Sequence, residues 1–325
     1  MAIILKMKKI MITGGAGFIG SNLCCYLISN FPDVYVICID NMITGSVDNI
    51  RELLVPPHPR FKLIIQDINN SFSHVLDNEK IDEIYHLASI ASPEKYKKYS
   101  METLLTSING TQRILEYCLK NNSKMLFTST SEVYGDPLIH PQPEEYNGNV
   151  NTVGERSCYD EGKRVAETLI YEYRKKYNLN IKIARLFNTY GPKMDLYDGR
   201  VITNFIKEIK NDRPVQIYGD GSQTRSFCYI DDMIRGLVSF MNLEENVSSP
   251  VNIGNPDCEF TMNELVSIFK TIISKNIDIK YFPKTQDDPM CRKPIIDKAK
   301  KLFDFKCSTN LQDGLKKLWY YFCEK

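Results

Sequence analysis

One stretch, Lys9–Leu27 (KIMITGGAGFIGSNLCCYL), constrains the fold more than any other. Ile10, Met11 and Ile12 form a short apolar run that reads as a buried strand. Ile19, Leu23 and Leu27 recur at four-residue spacing, as on one face of a helix. Gly14, Gly15, Gly17 and Gly20 lie between or within these runs. Strand, glycine-rich turn and helix together point backbone N–H groups and a helix N-terminus at one place, a geometry suited to a pyrophosphate. The spacing is G-x-x-G-x-x-G, so further marks are needed. One is a second apolar run, Val34–Ile39, that ends in Asp40. A carboxylate at the end of the second strand meets the adenosine ribose hydroxyls of a dinucleotide. Asn41, not arginine, follows it. A carboxylate there repels a 2′-phosphate, which favours NAD over NADP.

The rest of the chain is read against that opening. Arg60–Asp67 and Ile81–Ala88 are strand-like, Thr103–Leu119 is helical, and Lys124–Ser131 is a strand. Glu161–Tyr177 is a helix and Ile181–Phe187 another strand. The alternation predicts an α/β fold, a Rossmann-type doubly wound parallel sheet with helices on both faces. Asp67 and Leu87–Ser89 then stand at strand C-terminal ends, the edge where such sheets bind ligands. From Gly191 on, Gly and Pro punctuate shorter elements: Val201–Lys210 and Asp231–Met241 helical, Pro214–Tyr218 and Val251–Ile253 extended. This predicts a dinucleotide-binding domain over 1–187 and a smaller mixed α/β lobe over 188–325, with a segment near 226–254 crossing back to the first sheet. Pro137–Asn151 shows no periodicity and reads as a surface connection. Trp319, in the closing helix Leu311–Phe322, reads as core packing.

Composition excludes several classes of function. The 325 residues include 41 basic and 40 acidic side chains, a net charge of +1 that implies no basic face for nucleic acid. No apolar run is long enough to span a bilayer, and MAIILKMKK has its charges in the wrong order for a signal peptide. Ten cysteines form no C-x-x-C pair and read as reduced thiols of a cytoplasmic protein. Four scattered histidines predict no metal site.

Tyr159 and Lys163, in CYDEGKR, are spaced to share one face of a helix at its opening. A free phenol titrates near ~10 and is no base at neutral pH. An ammonium about 6 Å away, at an effective dielectric near ~20, favours the phenolate by roughly 3 kcal/mol, about two pKa units. The pair is thus suited to take a proton from an alcohol as hydride leaves its carbon. Ser129-Thr130-Ser131-Glu132 closes the preceding strand, and one of its hydroxyls can share that proton with Tyr159.

At these residues the chain resembles the extended short-chain dehydrogenases/reductases that act on nucleotide sugars, and within them the UDP-glucuronate decarboxylases. The motifs that carry the resemblance are ITGGAGFIGSNL, YHLAS-x-ASP, STSEVYGDP, CYDEGKRVAETL, ARLFNTYGP, DGRVITNF, YGDGSQTRSF, VNIGNP and QDDPMCRKPII, spread over nearly the whole chain. The resemblance implies catalytic roles for Thr130, Glu132, Tyr159, Lys163 and Arg292. It implies NAD against Gly14, Gly17, Phe18, Ile19, Asp40, Asn41, Thr44, Gly45, Asp67, Ile68, Leu87, Ala88, Ser89 and Thr106, as well as Tyr159 and Lys163. It implies a UDP-sugar against Asn188, Arg200, Val201, Tyr218, Arg225 and Arg292. It also implies a homodimer through a four-helix bundle of Thr103–Leu119 and the Tyr159 helix. Ser107 and Ile90 depart from the family's usual Asn and Pro, and no membrane anchor of the kind some relatives carry is expected.

The implied chemistry is C4 oxidation, loss of carbon dioxide from C5 and re-reduction of C4. Glu132 and Arg292 are expected to face the C5 carboxylate, with Arg292 making a modest positioning contact. Rival readings are a 4,6-dehydratase, a 4-epimerase and a non-catalytic NAD-binding regulator. A dehydratase typically has Asp-Glu where this chain has Ser131-Glu132. An epimerase has no need of Arg292 to manage a carboxylate, and a regulator would be expected to lose Tyr159 or Lys163.

Overall fold

The computed structural model describes residues 7–71, 73–76, 79–284 and 289–323. The first residues of the N-terminal stub and the QDD of QDDPM lie outside them. Seven strands form one all-parallel sheet: β1 (Lys8–Thr13), β2 (Val34–Asp40), β3 (Phe61–Ile65), β4 (Glu83–His86), β5 (Lys124–Thr130), β6 (Ile181–Leu186) and, far along the chain, Val251–Ile253. The order across the sheet is Val251–Ile253, β6, β5, β4, β1, β2, β3. The chain reverses its winding between β1 and β4, and the crevice opens at that switch point.

Each strand serves two cores because its side chains alternate. In β1, Ile10 and Ile12 enter the cluster on one face and Met11 enters the other; in β2, Val36 and Cys38 divide in the same way from Ile37 and Ile39. Helices Phe18–Asn30 and Ile230–Asn242 cover the first face and pack on each other. Helices Thr111–Asn121 and Ser157–Tyr177 cover the second. The C-terminal part adds the parallel pair Val215–Tyr218 with Ile279–Phe282 and the antiparallel pair Thr224–Ser226 with Glu259–Thr261. Helix Met262–Ile273 starts on a capping box, Thr261 with Glu264. Trp319 is half-buried against the first core. All ten cysteines are free thiols.

Two expectations change. The helix expected over Thr103–Leu119 is three pieces: Ser100–Leu105, a π-helical turn Thr106–Gly110, and Thr111–Asn121. Gly110 sits where a β-carbon would come within 2.7 Å of Ile68, so this turn packs closely on the segment that follows β3. Ser107 is buried in this turn. Its hydroxyl donates to the Thr103 carbonyl at 3.1 Å, and it packs against Gly162 of the Tyr159 helix. Ile90 packs with Tyr96 and Tyr159.

The second change is the segment Pro137–Asn151, which is not a plain surface connection. Gln142 is fully buried and takes a strand-like position beside Pro294. Its N–H donates to the Lys293 carbonyl at 2.8 Å, its carbonyl accepts from Ile295 N–H at 2.9 Å, and its Oε1 accepts from Lys293 N–H at 2.8 Å. Asn252 Nδ2 donates to the same Gln142 carbonyl at 3.0 Å. Buried backbone groups must be paired, and the strap does this for the segment that carries Arg292.

Candidate active site

The C-terminal ends of the strands and the C-terminal part of the chain enclose a cleft of about 1110 Å³. On one side Gly14, Gly17, Phe18 and Ile19 form its floor. Gly14 has φ +71°, and a β-carbon on it would come within 2.8 Å of the Ala88 nitrogen, so only glycine lets the turn approach the end of β4. The helix Phe18–Asn30 begins with no side chain capping its N-terminus and no acid in its first turn. Its orphan N–H groups are thereby open to an anion.

Asp40 ends β2 on the cleft wall and accepts from Ala16 N–H and Met42 N–H, each at 2.9 Å. Burial pushes its carboxyl above the usual range, against the pull of the Met42, Ala16 and Gly17 N–H groups. Asn41, Thr44, Gly45, Ile68, Leu87, Ala88, Ser89 and Thr106 line the same half. The Ser89 hydroxyl is buried without a partner. Asp67 follows β3 and lies beside Asn41, between Gln66 and Ile68 of the cleft lining. Its carboxylate accepts from Asn69 N–H at 2.8 Å in a short Asx turn and from Asn41 Nδ2 at 3.3 Å. An uncapped helix, a glycine cradle, an acid at the end of β2 and an orphaned hydroxyl fit a dinucleotide.

The centre of the cleft is built by two elements. β5 runs out into the turn Ser131–Tyr134, where Thr130 Oγ1 accepts from Glu132 N–H at 3.2 Å and sets the Glu132 side chain. Helix Ser157–Tyr177 starts beside it, with Tyr159 in its first turn and Lys163 one turn on. Tyr159 is hydrogen-bonded to Thr130 and stacks on Tyr96, ring centroids 5.3 Å apart and planes within 4°.

The electrostatics of the pair differ from expectation. Burial, with smaller pushes from Glu132 and Asp160, takes the Tyr159 phenol up to about 12 against the opposing Thr130 hydrogen bond and Arg200. Lys163 donates to the Thr128 carbonyl at 2.9 Å and lies 4.7 Å from the centre of the Phe127 ring. Burial brings its ammonium down to about 7, against the pull of Glu167. A lysine in this setting is no fixed cation, so the two-unit depression of Tyr159 expected from spacing alone does not arise in the protein by itself.

Arg292 lines the cleft and is 2% exposed, ion-paired with Glu132 Oε1, and donates to the Gly135 carbonyl at 2.9 Å. Glu132 Oε2 is paired with Arg156, a residue that sequence reasoning missed. Burial disfavours the Glu132 charge, but Arg156, Arg292 and Arg225 outweigh it and hold the carboxyl at about 2. Arg156 stands three residues before Tyr159, at the N-cap of the same helix. That spacing, in RSCY, was the available signal.

Asn188, Arg200, Val201, Tyr218 and Arg225 line the far half of the cleft. Arg200 donates to Asp198 Oδ2 at 2.7 Å and to the Ala91 carbonyl at 2.9 Å, and it precedes the helix Val201–Lys210, which also starts without a side-chain cap. Tyr218 is 40% exposed at a strand end. Tyr96, Tyr321 and Phe322 also line the cleft and were not anticipated. Among the described residues no group of His, Cys, Asp and Glu could hold a metal.

Comparisons with known proteins agree with this geometry. A model of the NAD dependent epimerase/dehydratase family matches residues 10–254. UDP-glucuronic acid decarboxylase 3 of Arabidopsis thaliana is 48% identical over 94% of this chain and 86% of its own. UDP-glucuronic acid decarboxylase 1 of Danio rerio is 44% identical over 97% of this chain and 72% of its own. The crystal structure of UDP-glucuronic acid 4-epimerase from Bacillus cereus, in complex with UDP-glucuronic acid and NAD, superposes with a TM-score of 0.88. It is 31% identical and covers 97% of this chain and 99% of that one. The cleft, its glycine turn and the match over residues 10–254 lead to one conclusion: this chain belongs to the NAD dependent epimerase/dehydratase family.

Proposed function

We propose that the protein is an NAD-dependent UDP-glucuronate decarboxylase that forms UDP-xylose. The observation that carries this reading is the convergence of Glu132, Arg292 and Arg156 beside Tyr159 and Thr130 in one cleft. Two arginines next to an alcohol-oxidising pair suit a sugar that carries an acid next to the carbon being oxidised. The decarboxylases at 44–48% identity support the same choice.

In this reading 1–187 forms the NAD-binding domain, with 226–254 returning to it, and 188–325 holds the UDP-sugar. The diphosphates face the two uncapped helix N-termini, at Phe18 for NAD and Val201 for the sugar nucleotide, with Asn188 and Arg225 on the latter. Bound NAD supplies the acceptor and later the donor of the C4 hydride, and its cationic ring adds the positive charge that Tyr159 needs to give up its proton. Tyr159 takes the C4 hydroxyl proton through its bond to Thr130, and Lys163 holds the end of β5. A ketone at C4 is β to the C5 carboxylate, so carbon dioxide leaves with its electrons delocalised into an enolate. Arg292 and Arg156 orient the acid. Glu132, held between them, keeps them from pairing with it so tightly that the charged ground state is favoured.

Incubation with UDP-glucuronate, followed by NMR, tests the reading. The expected products are UDP-xylose and carbon dioxide, with NAD restoring activity to cofactor-stripped protein and NADP failing to. Recovery of UDP-galacturonate without carbon dioxide would make the protein an epimerase, the second reading, favoured by the UDP-glucuronic acid 4-epimerase likeness. NAD binding with no turnover would leave only the regulator.

The protein is further proposed to be a cytoplasmic homodimer. No helix among the described residues is long and apolar enough to cross a membrane, and every cysteine is free. Met101, Leu105, Val165 and Tyr171 are exposed on helices that pack together, the surface a four-helix bundle would cover. Leu169 packs on the protein's own core. Sedimentation at micromolar concentration should give the dimer mass; a monomer would overturn this.

A further inference from the structure

Asp160 is the residue of this region that the reaction leaves without a task. It follows Tyr159, lies one helical turn beyond Arg156 and does not line the cleft. It is 6% exposed, and its Oδ1 is buried with no hydrogen-bond partner. Its Oδ2 lies 3.5 Å from Arg156 Nε, behind the guanidinium whose other side holds Glu132. A buried carboxylate with one unanswered oxygen is costly, and it persists where it acts on a neighbour.

From this geometry we infer that Asp160 is a positioning residue that sets how strongly Arg156 engages the carboxylate of the sugar. The inference rests on the substrate carboxylate entering beside Arg156 and Arg292. Arg156 has three possible acidic partners: Glu132, Asp160 and the substrate. When Asp160 is ionised, it and Glu132 share the guanidinium and the substrate acid is held loosely. When Asp160 is protonated, the positive charge is turned toward the cleft and the acid is held more tightly. Tight pairing helps binding but hinders the loss of neutral carbon dioxide, so the two states trade affinity against turnover.

The groups around Asp160 place the switch near neutrality. Burial and the Glu132 charge raise its carboxyl to about 7, against Arg156 and Arg292. Glu132, at about 2, stays ionised throughout. Tyr96, above it, and Tyr159 and Cys158 beside it titrate well above neutral. Lys163 is the other group near 7, and it must be separated by experiment.

Reciprocity supplies the test: if protonated Asp160 favours the substrate carboxylate, that carboxylate must favour protonation of Asp160. Titration calorimetry of the NADH-loaded enzyme, which cannot oxidise C4, in buffers of different ionisation enthalpy reads proton uptake directly. UDP-glucuronate should take up a fraction of a proton near pH 7 and UDP-glucose should not. The carboxylate would also favour protonation of Lys163, so the Asp160→Asn variant, which keeps Lys163, separates the two groups. In Asp160→Asn the uptake should vanish. KM for UDP-glucuronate and kcat should each fall about five-fold, and affinity for UDP should stay unchanged. A merely structural role would lower kcat or UDP affinity without lowering KM. Equal proton uptake for the two sugars in the wild type overturns the inference, whatever the variant does. Failure of the wild type to release carbon dioxide from UDP-glucuronate would instead remove the function it rests on.

Discussion

Tyr159→Phe should suppress UDP-xylose formation and carbon dioxide release together, with turnover falling about a hundred- to ten-thousand-fold. The phenol is the group bonded to Thr130 at the end of β5, and general acid–base catalysis by one positioned group contributes about 10²–10⁴-fold. Phe keeps the ring that stacks on Tyr96 and loses one hydrogen bond, a stability cost of about 1 kcal/mol. The variant should therefore fold and still bind UDP and NAD. The measurement is a single turnover that follows NADH absorbance and carbon dioxide release after mixing with UDP-glucuronate. Persistent NADH formation would show that another group accepts the C4 proton.

Arg292→Ala should have the other large effect, and on two quantities at once. Arg292 is buried, pairs with Glu132 Oε1 and satisfies the Gly135 carbonyl, so its loss leaves a buried charge with Arg156 alone as direct partner. Breaking a buried pair typically costs about 3–5 kcal/mol, and the remaining arginine places this case near the lower end. Carbon dioxide release should fall about a hundred- to a thousand-fold, the usual effect of removing one aligned transition-state contact. Arg292→Lys should restore little, because an ammonium cannot reach Glu132 and the Gly135 carbonyl with one planar fork. Denaturant unfolding and the same single-turnover assay check both parts. Unchanged carbon dioxide release would remove Arg292 from the reaction, and a stability change below about 1 kcal/mol would remove the pair from the fold's support.

The Glu132 pairing also carries a pH signature. Its folded-state carboxyl lies at about 2, below the value of 4.5 for a free glutamate, so its stabilising contribution is present above about 4.5 and is lost as pH falls toward 2. The wild type should show that loss in acid, and Arg292→Ala should show less of it.

What was legible in the sequence is what short-range geometry sets. The turn from Thr13 to Phe18, the acid that ends β2, and Tyr159 one helical turn from Lys163 all lie within single strand–turn–helix units. There, spacing along the chain determines spacing in space. The all-parallel sheet follows from the same alternation of apolar runs. The electrostatic state of the site was not legible, because it depends on burial and on partners far away in the chain. Arg292 meets Glu132 across 160 positions, and it is held there by a strap around Gln142 that shows no periodicity of its own. Arg156 and Asp160 are ordinary first-turn residues until Glu132 is brought against them. Lys163 reads as a cation from its type alone, and only burial, against the Phe127 ring, brings it down to about 7. Local backbone geometry is encoded locally, whereas the energy of a charge depends on everything packed around it, and only the tertiary structure decides that.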